Sequence, residues 1–155
     1  MESVNVSNDK YKTILEHQGF CVCGISGSSM MPMLRMGKDT IVLEPIKRKL
    51  KKYDVIMFKR PSTGKYVCHR IIKIKNGNFL ICGDNQWQRE YGIKESDIIG
   101  ILTGFYRKEK YISVNNFWYK IYYHFIVASW PIRMIKDKCK CIIKRILKRG
   151  CENGK

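Results

Sequence analysis

Asn76-Gly77 lies between two runs of β-type residues, Tyr66 to Lys75 and Asn78 to Cys82, and it decides more about the fold than any other pair in the chain. Both residues tolerate a positive φ, which a two-residue hairpin turn of the right twist demands. The two runs are therefore expected to be antiparallel arms of one hairpin. Side chains alternate across a strand, so His69 shares a face with Val67 and Ile71, while Arg70 sides with Cys68 and Ile72. The same hairpin puts His69 on one arm and Asp84 just beyond the end of the other.

Further short runs have strand character: Cys21 to Ile25, Thr40 to Leu43, Asp54 to Phe58, Asp97 to Leu102 and Tyr111 to Val114. Turn clusters such as Glu44-Pro45 and Pro61-Ser62-Thr63-Gly64 separate them. Together they predict a mainly β domain over residues 20–114. Ahead of it, 1–19 is polar, with Tyr11, Ile14 and Leu15 at the spacing of a short helix and Gly19 to end it. Behind it, 115–155 opens with an aromatic stretch, Phe117 to Ile132, interrupted by Lys120 and His124 and closed by Pro131. A basic amphipathic helix is expected next, because Ile135, Cys139, Ile142, Ile143 and Ile146 recur at helical spacing among lysines and arginines.

Charge restricts the partners. Thirty Lys and Arg against 13 Asp and Glu give a formal net charge of +17, which favours anionic surfaces and acidic peptides. No nucleic-acid motif accompanies the basic residues, so no nucleic acid is expected as a partner. The aromatic and basic segments over 117–149 suit an in-plane contact with an anionic membrane surface. Met1 to Gln18 holds no long apolar run, so neither an N-terminal signal nor an anchor is expected, and the place of the chain is cytoplasmic or peripheral at a membrane. The seven cysteines are odd in number and irregularly spaced, which fits reduced thiols. Cys21-x-Cys23 and Cys139-x-Cys141 are too tightly spaced for usual zinc pairs, so no metal and no cofactor are expected.

The chemistry centres on Gly27-Ser28-Ser29-Met30-Met31-Pro32-Met33-Leu34. Gly27 frees the backbone and Pro32 fixes one φ, so the stretch can hold a hydroxyl in a set, exposed position. A serine hydroxyl is a weak nucleophile until a base takes its proton. His69-Arg70 offers the base and Gly83-Asp84-Asn85 a third polar group.

These residues resemble a known family. Gly27-x-Ser29-Met30-x-Pro32-x-Leu34, His69-Arg70 and Gly83-Asp84-Asn85 look like the signature boxes of type I signal peptidases and their LexA-like relatives. Tyr53-Asp54-Val55-Ile56 and Ile98-Ile99-Gly100 add two lesser matches, and the resemblance covers roughly residues 22 to 104 in the family's order. It implies a coiled β-sheet fold, here with a short N-terminal helix and C-terminal basic amphipathic helices. It implies Ser29 as nucleophile, His69 as general base where bacterial members carry lysine, and Asp84 as the acidic partner. Gly27 stands where some members have a second serine that helps the oxyanion, so backbone N–H groups of the turn Gly27, Ser28, Ser29 and Met30 are expected to serve instead. Gly83, Asn85, Asp54 and Arg70 are supporting residues, and Arg70 is expected to pair with Asp54 or Asp84. The implied activity is a serine endopeptidase that removes a leader or signal segment from a peptide or protein precursor. A self-cleaving LexA-like regulator and a non-catalytic, basic membrane-surface protein are the alternatives.

Overall fold

The computed structural model describes residues 10–136 together with 138 and 139. The expectations for Met1 to Asp9, for Cys141 and for the Ile142, Ile143 and Ile146 stripe lie outside the described residues. The chain opens with helix α1 (Lys10–Gln18), whose Leu15 is buried and whose Tyr11 and Ile14 pack beside it. Gly19 ends it in the left-handed region, φ 76°, and donates to the Leu15 carbonyl. Glycine takes that conformation without the strain a Cβ would bring.

Among the described residues eight strands follow: β1 (Cys21–Gly24), β2 (Asp39–Glu44), β3 (Val55–Lys59), β4 (Tyr66–Lys75), β5 (Asn78–Cys82), β6 (Arg89–Ile93), β7 (Ile98–Arg107) and β8 (Lys110–Ser113). They form one antiparallel sheet in the order β1-β2-β7-β3-β4-β5-β6, with β8 on β7. β7 is the hub. One of its edges pairs with β2, and the other is shared end to end by β3 and β8. The β4–β5 hairpin closes at Asn76-Gly77 with φ of 49° and 73°, and Lys75 lies opposite Asn78.

Both faces of the sheet are covered. On one side Leu15, Met30, Met33, Leu34, Ile41 and Leu43 form a core that Val55 and Met57 of β3 join. On the other, Ile56 and Phe58 of the same strand meet Ile71, Phe79, Ile81 and Ile101. Alternation along β3 thus feeds two cores, which is why four of its five residues are buried. Truncating a residue such as Phe58 to Ala would cost about 3–5 kcal/mol.

Three features differ from the sequence reading. β6 was not expected, because Arg-Glu-Tyr-Gly-Ile lacks the apolar alternation that marks a half-buried strand. β7 runs to Arg107 rather than Leu102, because Gly104 to Arg107 are held on both sides by β2 and β8. Helix α2 (Phe117–Ala128) ends at Ser129, before Pro131. Pro131 sits instead at the start of the helical stretch 130–136, where its missing N–H is harmless. Asn116 caps α2 by accepting a hydrogen bond from the Trp118 N–H at 2.9 Å.

Candidate active site

The serine turn is shaped by what it buries. Met30, Met33 and Leu34 are driven into the first core, at 5% exposure or less, and pull the chain down at helical spacing. That leaves Ser28 exposed and Ser29 half-buried on the outer side. Turn hydrogen bonds from Met31 N–H to the Ser28 carbonyl and from Leu34 N–H to the Met30 carbonyl complete the wind. Gly27 has φ 92°, and the Met31–Pro32 bond is cis. Asp39, fully buried at its side chain, braces the turn from behind. Its carboxylate accepts from the Arg35 backbone and guanidinium and from Arg107, which also donates to the Met33 carbonyl at 2.6 Å. Burial pushes the Asp39 carboxyl upward, but those bonds outweigh it and hold its pKa at about 2.

The Gly83-Asp84-Asn85 loop docks onto that turn. Asn85 N–H donates to the Ser29 carbonyl at 2.7 Å, and the Asn85 side chain donates to the Ser28 carbonyl at 3.2 Å. Gly83 fills the seam between serine and imidazole. A Cβ there would lie 2.7 Å from the Ser29 carbonyl oxygen, 3.0 Å from Gln86 Oε1 and 3.1 Å from His69 Nε2. Only a residue without a side chain permits this approach. The turn and the Nε2 face of His69 therefore meet across one glycine.

His69 is 1% exposed. Its Nδ1 lies 2.9 Å from Glu90 Oε1, off the axis of the ring N–H, so the contact is electrostatic more than an aligned hydrogen bond. Glu90 is itself gripped by Arg60 through two bonds of 2.7 Å. The carboxylate favours the proton on Nδ1 and leaves the lone pair on Nε2, the nitrogen on the serine side. Burial lowers the pKa of His69, and Arg60 lowers it further against the opposing pull of Glu90. The imidazole is thus neutral near pH 7. Burial tends to raise the Glu90 pKa, but Arg60 and His69 bring it below the ordinary carboxylate value.

Asp84 makes no hydrogen bond or ion pair with His69, although its charge is felt by the imidazole, and the carboxylate at His69 Nδ1 is that of Glu90; this corrects the role assigned to Asp84 from sequence. Its carboxylate receives Arg70 Nε at 2.8 Å and Arg70 Nη2 at 2.7 Å, and the Tyr122 hydroxyl donates to it at 3.1 Å. Both ion-pair side chains are at most 1% exposed. The remaining Arg70 donors reach the Tyr53 carbonyl, the Tyr119 hydroxyl and Met33 Sδ. A planar guanidinium suits this many-sided clamp where a lysine would not. One buried cation thus ties β4, the Gly83–Asn85 loop, the serine turn and α2 together. Of the two partners expected for Arg70, Asp84 is the one found. Asp54 pairs instead with Arg48, accepting at 2.7 and 2.9 Å.

The C-terminal helical stretch also reaches the site. Arg133 donates to the Asp84 carbonyl and to the Ile126 carbonyl, and Trp130 Nε1 donates to the Trp87 carbonyl at 2.9 Å. Arg89 stacks over the Trp130 ring at 3.6 Å. The segment read as a tail therefore buttresses the loop that carries Gly83 and Asp84. Glu90 had no signal of its own in the sequence, since it lies on the unexpected β6. An acid a few residues past Gly-Asp-Asn was the one hint.

Among the described residues, the Ser29 hydroxyl makes no hydrogen bond, and the N–H groups of Ser28, Ser29 and Met30 donate to no acceptor. These three donors lie next to the Ser29 hydroxyl along the chain. A cavity of about 800 Å³ adjoins the site at Gln86 and Glu90, and one of about 450 Å³ at Pro32 and Met33. Among the described residues no group of three or more His, Cys, Asp or Glu is placed to hold a metal. No family model matches this chain, and no curated protein matches it.

Proposed function

We propose that this chain is a serine endopeptidase of the signal-peptidase type, with its sheet a member of that coiled β fold, and that it cuts a leader segment from a peptide or protein precursor. Ser29 is the nucleophile and His69 the general base. Glu90 holds the imidazole in the useful tautomer and stabilises the imidazolium. Arg70 and Asp84 are positioning residues that fix the loop between them. The observation that carries the reading is the seam at Gly83, where the serine turn and His69 Nε2 close on one point.

The reaction follows from the groups present. The reaction requires Ser29 Oγ within hydrogen-bond reach of His69 Nε2. Nε2 takes the hydroxyl proton as Oγ bonds to the scissile carbonyl carbon. The oxyanion is met by the free turn N–H groups. The C–N bond then breaks, the imidazolium gives its proton to the leaving amine, and water attacks the Ser29 ester by the same proton relay. A neutral imidazole can accept this proton at neutral pH without the heavy desolvation that a lysine base needs. β1 stands at the end of the sheet among the described residues and runs straight into the serine turn. An extended precursor added along that edge would deliver its carbonyl to Ser29.

Labelling with a fluorophosphonate, read by intact mass and peptide mapping, tests the assignment. One adduct on Ser29 is expected, lost in His69→Ala. Labelling of other serines at equal rate, or of Ser29 regardless of His69, would reject the dyad.

A further inference from the structure

Helix α2 is apolar on two opposite faces. Tyr119 and Ile126 are buried, Tyr119 in the first core, and on the same side Tyr122 and, beyond α2, Arg133 reach Asp84. The outward face carries Phe117, Trp118, Ile121 and Phe125, and the stretch 130–136 continues it with Ile132 and Ile135. Their exposures run from 45% to 74%, although these are residue types that folding normally removes from water. Ser129 N–H bonds to the Phe125 carbonyl and Arg133 N–H to the Ser129 carbonyl, so the helical course carries across the junction. The six side chains recur at helical spacing and form one stripe rather than scattered exposures. A helix apolar all round ordinarily has both sides covered.

The rim of the stripe says what covers it. Lys51, Lys52 and Lys120 line a cavity of about 350 Å³ beside the N-terminal half of α2. Lys136 and Lys138 are exposed at the far end. We propose that this stripe docks in the plane of an anionic lipid bilayer, with the aromatic and aliphatic side chains at the level of the acyl boundary and the lysines on the headgroups. Trp and Phe beside lysine are the side chains such a boundary favours. A second copy of the chain fits less well, since it would set one surface of a +17 molecule against another. Among the described residues no helix is long and apolar enough to cross a membrane. The surface stands whether or not Ser29 is a nucleophile.

Co-sedimentation of the full chain with vesicles decides it. The wild type is expected to pellet with mixed phosphatidylcholine–phosphatidylglycerol vesicles, to pellet poorly with phosphatidylcholine alone, and to be released by added salt. The double variant Trp118→Ser/Phe125→Ser should lose at least about tenfold in partition while its circular dichroism is unchanged. Lys51→Glu/Lys120→Glu should weaken binding to the anionic vesicles selectively. Wild type remaining in the supernatant, equal binding of the apolar-face variant, or a stable dimer that protects Trp118 in solution would each overturn the proposal.

Discussion

Replacing Glu90 by Gln keeps the shape of the side chain and removes the charge that faces His69 Nδ1. At the observed 2.9 Å, attraction between a carboxylate and an imidazolium is about 6 kcal/mol at an effective dielectric of about 20. Arg60 already draws on the same carboxylate, and the contact is off the ring N–H axis, so only part of that is felt when the imidazolium forms. We expect kcat/KM to fall by about 10²–10³, equivalent to ~3–4 kcal/mol of transition-state stabilisation. The carboxylate also raises the His69 pKa, so its loss should move the acid limb of the kcat/KM profile to lower pH. Initial rates on a cleavable peptide across pH, with thermal unfolding measured alongside, read both effects. A variant with wild-type rate and an unmoved limb would refute the role given to Glu90.

Asp84→Asn is expected to act on stability, because it strands the fully buried Arg70 guanidinium. Breaking such a pair costs about 3–5 kcal/mol, and Tm should drop by roughly 10 °C; an unchanged Tm would contradict the clamp. Gly83→Ala should lower kcat/KM by about 10² or more, with a smaller loss of stability, because its Cβ forces Ser29 and His69 apart. In the wild type the acid limb of kcat/KM should lie below the ordinary histidine value of about 6.5, since burial lowers the His69 pKa. The same shift affects stability. As pH falls below about 6.5 the unfolded chain takes up a proton that the folded chain resists, so folding should weaken with acid there. Chemical denaturation across that range, with His69→Gln as reference, checks the sign.

Local chemistry accounts for what could be read in the sequence. Asn76-Gly77 specified its hairpin because two adjacent positive-φ residues leave the backbone few other courses. Gly19 and the Tyr11–Leu15 spacing marked α1 for similar reasons. The serine turn was visible because Gly27 and Pro32 bracket it, and Met30, Met33 and Leu34 proved to be its anchors. What escaped depends on pairing between distant strands. Glu90 reaches His69 because β6 lies beside β5 and β5 beside β4, with register shifts in both ladders. Alternation within a single strand carries no trace of those shifts. Asp84 was misread for a related reason. A carboxylate near a histidine and an arginine in sequence can serve either, and the fold gave it to Arg70. Arg133, Trp130 and Asp39 brace the site through contacts across dozens of residues, and nothing in their own neighbourhoods announced it.

Whether the Ser29 hydroxyl cuts peptide bonds can be read from a proteome-derived peptide library. Wild type and Ser29→Ala are incubated with the library, and newly formed N-termini are read by mass spectrometry. A set of new termini is expected with wild type, absent with Ser29→Ala and with His69→Ala. Identical termini from all three proteins, or none from the wild type, would contradict it.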